Sequence, residues 1–242
     1  MIASIGWGAL AASSLVIGAL IGLARQWPAR AVGAVLGFGA GALISAVSFD
    51  LAEEGIRLGG ADSVAIGLAL GALTYYLADR VIERPGHLRG RAPSRPSDSS
   101  SGAALALGAF LDGIPEQLVL GIGLIPGRGV SIGLLAAIFA SNLPEAVGSA
   151  SAMRAAGRSV GAVLRLWTLV AAICTLATVA GFAIADTASG DLQAVVNGFA
   201  AGALLVMLID TMVPEAARKA GKIAGLVTVL GFAVASALSG LE

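Results

Sequence analysis

Two apolar stretches of this 242-residue chain contain Pro-Glu: FLDGIPEQLVLGIGL, with Asp112, Pro115 and Glu116, and FASNLPEAVGSASAM, with Ser141, Asn142, Pro144 and Glu145. A charge at the centre of a bilayer costs about 2.5–3.5 kcal/mol on insertion scales, so such carboxylates require partners. Neither stretch holds a Lys or Arg, which leaves a bound cation or shared protons to neutralise them. Asp112 and Glu116 are four residues apart, as are Ser141 and Glu145. On a helix that spacing puts each pair on one face, where both side chains can reach one ion. Pro115 and Pro144 cannot donate to the carbonyls of Leu111 and Ala140, so each kinks its helix and frees an oxygen. Asp112, Glu116, Ser141, Asn142 and Glu145 are therefore expected to hold a divalent cation between two helices.

A second set of acids ends two similar segments. One reads GFGAGALISAVSFDLAEE and the other GFAAGALLVMLIDTMVPE, matching as GFxAGAL at an offset of 161 residues. Glu54 and Glu215 align directly, and Asp50 and Asp210 fall within one residue of each other; Glu53 stands beside Glu54. Shared acids in apolar surroundings argue for an internal repeat. Asp50, Glu54, Asp210 and Glu215 are expected as further cation ligands at the two mouths of a pathway.

The elements that position these groups follow from composition. Hydrophobic residues make up 57% of the chain, charged residues 12%, and mean hydropathy is +0.90; a soluble domain usually carries about 25% charged residues. The 34 glycines against 5% aromatics suit helices packed backbone to backbone in lipid. Cutting wherever charge, Pro and Gly interrupt runs of about 20 apolar residues gives eight spans, at 3–23, 31–51, 63–81, 102–125, 130–153, 160–185, 192–213 and 223–241. The predicted fold is all-α, a single transmembrane domain over 1–242 arranged 3+2+3, with a flexible cytoplasmic loop at 83–102. Thirteen of the fifteen Lys and Arg fall in alternate connections, leaving Arg57 and Arg128 in the others. Positive charge accumulates in cytoplasmic loops, so both termini are expected outside the cytoplasm, and the first span is read as retained rather than as a cleaved signal. Spans two and seven then run in opposite directions, making the repeat an inverted one of the kind transporters use.

These residues resemble the ZIP (Zrt- and Irt-like protein) family of divalent metal transporters, whose fourth and fifth spans carry motifs of the form HNxPEG and HExPEG. The resemblance covers the whole chain. Carried over position by position, Asp112 stands for the first histidine, Gly113 for the asparagine, and Pro115 and Glu116 are kept; Ser141 stands for the second histidine, Asn142 for the acid, and Pro144 and Glu145 are kept. The resemblance implies a prokaryotic-type member that transports Zn²⁺, Fe²⁺ or Mn²⁺ as substrate, without a prosthetic group, as a homodimer in the bacterial plasma membrane. Without the motif histidines the ligands are all oxygens, a set suited to harder ions than zinc. The alternative is a ZIP-like protein that senses metal, or carries another cationic or protonated substrate.

Other classes find little support. HExxH and Gly-rich phosphate motifs are absent, so no enzyme is expected. Zero formal net charge offers nothing to nucleic acid. The lone His87 lies in the loop, and Cys174 lies in an apolar run, where it reads as a small buried hydrophobe. Gly33, Gly37, Gly41, Gly198 and Gly202 form helix-packing faces, either within one protomer or between two.

Overall fold

A computed structural model describes residues 1–25, 27–83, 113–124, 130–187 and 189–239. Asp112, Leu111, His87, Arg128 and the loop from residue 84 onward lie outside the described residues.

All regular structure in the described part is helical. The elements are α1 (Ile2–Ala24), α2 (Ala29–Ala46), α3 (Glu54–Glu83), α4 (113–123), α5 (Ile132–Ala155), α6 (Val160–Thr187), α7 (Gly190–Met207), α8 (Val213–Ala220) and α9 (Ile223–Ser239). In lipid every backbone polar group must find its partner within the protein, which is why such apolar sequence adopts helix. Among the described residues five runs are long and apolar enough to cross a membrane, and α9 is a shorter apolar helix. The run Ala29–Arg80 is 52 residues long, about 78 Å at 1.5 Å per residue. Gly60, with φ 83° and ψ 167°, breaks it into two pieces.

Where the sequence suggested that helices end at the acids, the chain continues. α2 passes through a π-helical turn, Val47–Glu53, into α3, and α7 passes through Leu208–Met212 into α8. A π turn keeps the backbone hydrogen-bonded while inserting an extra residue, so charge there does not stop a helix. Leu208 begins its π turn 161 residues after Val47, and Gly221, where α8 stops with φ 64°, lies 161 residues after Gly60. Arg165, assigned from sequence to a connection, sits exposed inside α6, where its side chain leaves the backbone helical.

The glycine faces pack within the protomer. A Cβ at Gly41 would come 1.8 Å from the Thr228 carbonyl, and one at Gly202 would come 2.1 Å from that of Leu68. Gly231 faces the carbonyl of Phe38, and Gly71 that of Phe199. α2 thus meets α9 through the same type of backbone contact as α7 meets α3. A second group, α1, α5 and α6, closes around Leu15, Ala146, Ala150, Trp167 and Cys174, all buried. Gly18 and Gly22 of α1 lie against the carbonyls of Leu143 and Val147. α5 is thereby held from one side by α1.

Candidate metal pathway

α5 begins at Ser131, whose Oγ accepts from the Leu134 amide at 3.1 Å, an N-cap that satisfies a free donor of the first turn. It ends at Gly157, φ 84°, where the amide of Arg158 reaches the Met153 carbonyl at 3.1 Å. Between these stops Ser141, Asn142 and Pro144 are buried and Glu145 is half-buried. α4 carries Glu116 and Gln117 with 1% and 0% exposure.

The two Pro-Glu helices meet at these residues. Ser141 Oγ donates to Glu116 Oε1 at 3.0 Å, with the Ile138 carbonyl a second acceptor at 2.9 Å. Gln117 Oε1 accepts from Thr178 Oγ1 of α6 at 2.5 Å, tying α4 to its other neighbour. Asn142 is 1% exposed, and its Nδ2 finds no acceptor among the described residues. The Ala140 carbonyl freed by Pro144 faces α2, for a Cβ at Gly39 would lie 2.8 Å from it. Among the described residues no three His, Cys, Asp or Glu side chains converge on one point. Glu116, Ser141 and Asn142 thus lie together in the interior, Glu145 follows a turn later on α5, and Asp112 immediately precedes the described part of α4.

The outer acids are distributed differently. Asp50 lies in the first π turn, half-buried, and accepts from Ser131 Oγ at 3.3 Å. Glu54 pairs with Arg57. Both acids line a cavity of about 900 Å³ shared by α1, α4, α5 and α7, with Trp7 and Asn197 in its wall. Asp210, in the second π turn, is exposed. Glu215 is held by Lys219 at 2.5 Å and by Arg218 at 3.7 Å. Lys219 also reaches α5, its Nζ lying 3.6 Å from a Cβ position at Gly148. Neither Pro-Glu stretch contains a base, yet one arrives from α8.

Sequence reasoning missed Gln117, Thr178, Ser131, Asn197 and Lys219. Isolated amides and hydroxyls in apolar helices were the available signal; which of them turn inward depended on packing.

Buried carboxylates, hydroxyls and amides packed among helices that are long and apolar enough to cross a membrane define an integral membrane protein with a polar interior. The family model described as "ZIP Zinc transporter" matches residues 89–239. An Arabidopsis thaliana protein named "Putative zinc transporter" is 32% identical over 200 residues, covering 81% of this chain. The chain spans 31% of that relative's length. This chain belongs to the ZIP family of zinc transporters, a family of transporters and not of enzymes.

Proposed function

We propose that the chain carries a divalent metal cation across a membrane through a site between α4 and α5, with Asp112, Glu116, Ser141, Asn142 and Glu145 as ligands. The observation that carries this reading is the meeting of Glu116 and Ser141 across the two helices, with both residues 1% exposed. A carboxylate so buried is stabilised by hydrogen bonds or by a cation. The all-oxygen set discriminates less against Mn²⁺ than a histidine-containing site would. The relative's name supports zinc as a substrate too.

The proposed architecture is eight crossings arranged 3+2+3. The break at Gly60, which supplies two crossings from one run, and the shorter helix α9 support it. The equal spacing of the π turns and of Gly60 and Gly221 supports an inverted repeat, as do the matched contacts Gly41 to Thr228 and Gly202 to Leu68. The charge distribution supports extracytoplasmic termini, and the family resemblance is the ground for proposing a homodimer in a bacterial plasma membrane. A cysteine placed at Ser97 should react with an impermeant reagent only from the cytoplasmic side. Cys174 is fully buried and gives little background.

Replacing Glu116 and Glu145 with Gln keeps volume and hydrogen bonding while removing both charges. In liposomes the folded double variant should lose flux of every divalent ion, falling by more than the roughly 10–100-fold that loss of an outer-shell partner alone costs a metal site. Wild-type flux from that variant would overturn the site assignment.

A further inference from the structure

The cavity beside Asp50 has the makings of a separate cation seat, and its polar wall comes from three places in the chain. Asp50 and Glu54 enter from the α2–α3 junction, Ser131 from the start of α5, and Asn197 from α7. Asn197 is the telling residue. It is 3% exposed, and its Oδ1 accepts no hydrogen bond among the described residues. A buried amide oxygen left unsatisfied is destabilising, and this one belongs to a residue that lines the same cavity as both carboxylates, where a cation would satisfy all three. Its neighbour is fixed by close packing: a Cβ at Gly55, the residue after Glu54, would lie 3.3 Å from Asn197 Cβ.

Asp50 is oriented from a different direction. Ser131 Oγ takes the Leu134 amide as its donor, which frees its own proton for Asp50 Oδ1 at 3.3 Å. The Asp50 carboxylate therefore sits at the amino end of α5, with its position tied to the helix that carries Ser141, Asn142 and Glu145. Glu54 is engaged by Arg57, whose side chain is 66% exposed. An ion pair with one end so open to water contributes little. An arriving ion can replace Arg57 as the cationic partner of Glu54.

We propose that Asp50, Glu54 and the Asn197 amide oxygen, with Ser131 orienting Asp50, form a second divalent-cation site that takes a partly hydrated, oxygen-preferring ion. The assignment rests on the reading of the chain as a cation carrier, but its ligands are independent of those between α4 and α5. A cavity of about 900 Å³ leaves room for ion-bound water, and two carboxylates with one amide oxygen suit a hard ion that keeps part of its hydration shell. Asn197, immediately before the second of the two similar segments, has no counterpart before the first, since the position 161 residues earlier is Leu36.

Trp7 lines the same cavity and provides a local reporter, because excited indole sensitises the emission of a nearby Tb³⁺, itself a hard, oxygen-seeking ion. The experiment titrates the purified full-length chain in detergent with TbCl₃ and then displaces the ion with MnCl₂. Sensitised emission should saturate, disappear in Trp7→Phe and persist in the Glu116→Gln, Glu145→Gln double variant. Asn197→Leu should weaken Tb³⁺ binding about tenfold or more, within the range that metal sites lose with a supporting group, and Asn197→Asp should tighten it. The Asp variant keeps the side chain's shape, so it tests the site even if Leu disturbs packing. Emission that vanishes with Glu116 and Glu145 but ignores both Asn197 variants would overturn the proposal, as would emission no greater than that of Trp7→Phe. Flux plays no part in this readout, so a failure of the transport reading is registered separately, by the liposome assay.

Discussion

The π turn that carries Asp50 and the one that carries Asp210 come from similar sequence, yet they end in unlike surroundings. Each follows a GFxAGAL helix, each is followed by a short helical stretch that stops at a positive-φ glycine, and each has a Glu paired three residues on with an Arg. Local features are thus duplicated. The walls are not: Asp50 is half-buried, bonded to Ser131 of α5 and joined by Asn197, whereas Asp210 is exposed and the neighbouring Glu215 is engaged by Lys219. Helix hydrogen bonding and i, i+3 pairing are set within a segment, while the polarity around a carboxylate is set by whatever packs against it. A repeated sequence can therefore furnish one carboxylate walled by polar side chains and another beside a resident ammonium.

The strongest test of the similarity is at the glycines. Gly41→Val and Gly202→Val each force a branched side chain against a backbone carbonyl, at Thr228 and Leu68 respectively. Overpacking costs about 1–3 kcal/mol where neighbours can yield, and more against backbone. Both variants should lose at least about 3 kcal/mol, read as a large fall in thermal midpoint in detergent. Gly6→Ala, with nothing within 4 Å, should leave it unchanged. A large loss at one glycine and none at its counterpart would break the structural equivalence.

The acids test the difference. Asp50→Ala should lower divalent-ion flux about tenfold at subsaturating metal, on the scale of losing one supporting ligand, and should slow flux more than it weakens equilibrium binding at the central site. Asp210→Ala should slow flux by only about two- to threefold, since an exposed carboxylate is screened by water and salt. Equal losses at the two positions would dissolve the contrast. If both substitutions abolished binding as completely as loss of Glu116, the acids would belong to one central site rather than to two mouths.

Lys219 offers the smallest and most specific effect. Its ammonium sits 2.5 Å from Glu215 Oε1, with 20% of the side chain exposed. Lys219→Met removes the resident cation while retaining the aliphatic stem that packs under Gly33. Losing the pair should cost less than about 1 kcal/mol of stability. Mn²⁺ affinity in the Asp50→Ala background should rise about threefold, as expected when one neighbouring like charge is withdrawn near a surface. Unchanged or weakened affinity in isothermal titration would show that Lys219 is structural rather than a competitor for the carboxylate.

Much of the fold was legible in the chain's own chemistry. Apolar runs require helices in lipid because no water is there to satisfy the backbone, so the segments at 3–23, 130–153 and 160–185 correspond closely to α1, α5 and α6. The Pro-Glu pairs marked Glu116 and Glu145 because buried charge is costly wherever it stands, and the offset of 161 residues was visible as matched letters. The acids misled as helix ends, since charge suggests a boundary but a π turn passes through it without losing hydrogen bonds. What the tertiary structure alone decided is which polar groups share a space. Asn197, Ser131 and Asp50 come from α7, the α5 cap and the α2 junction, and Lys219 reaches α5 from α8. Such meetings depend on how closely glycines let backbones approach, and a contact distance between helices far apart in sequence is fixed by the packing of both surfaces together, a property that neither segment carries by itself.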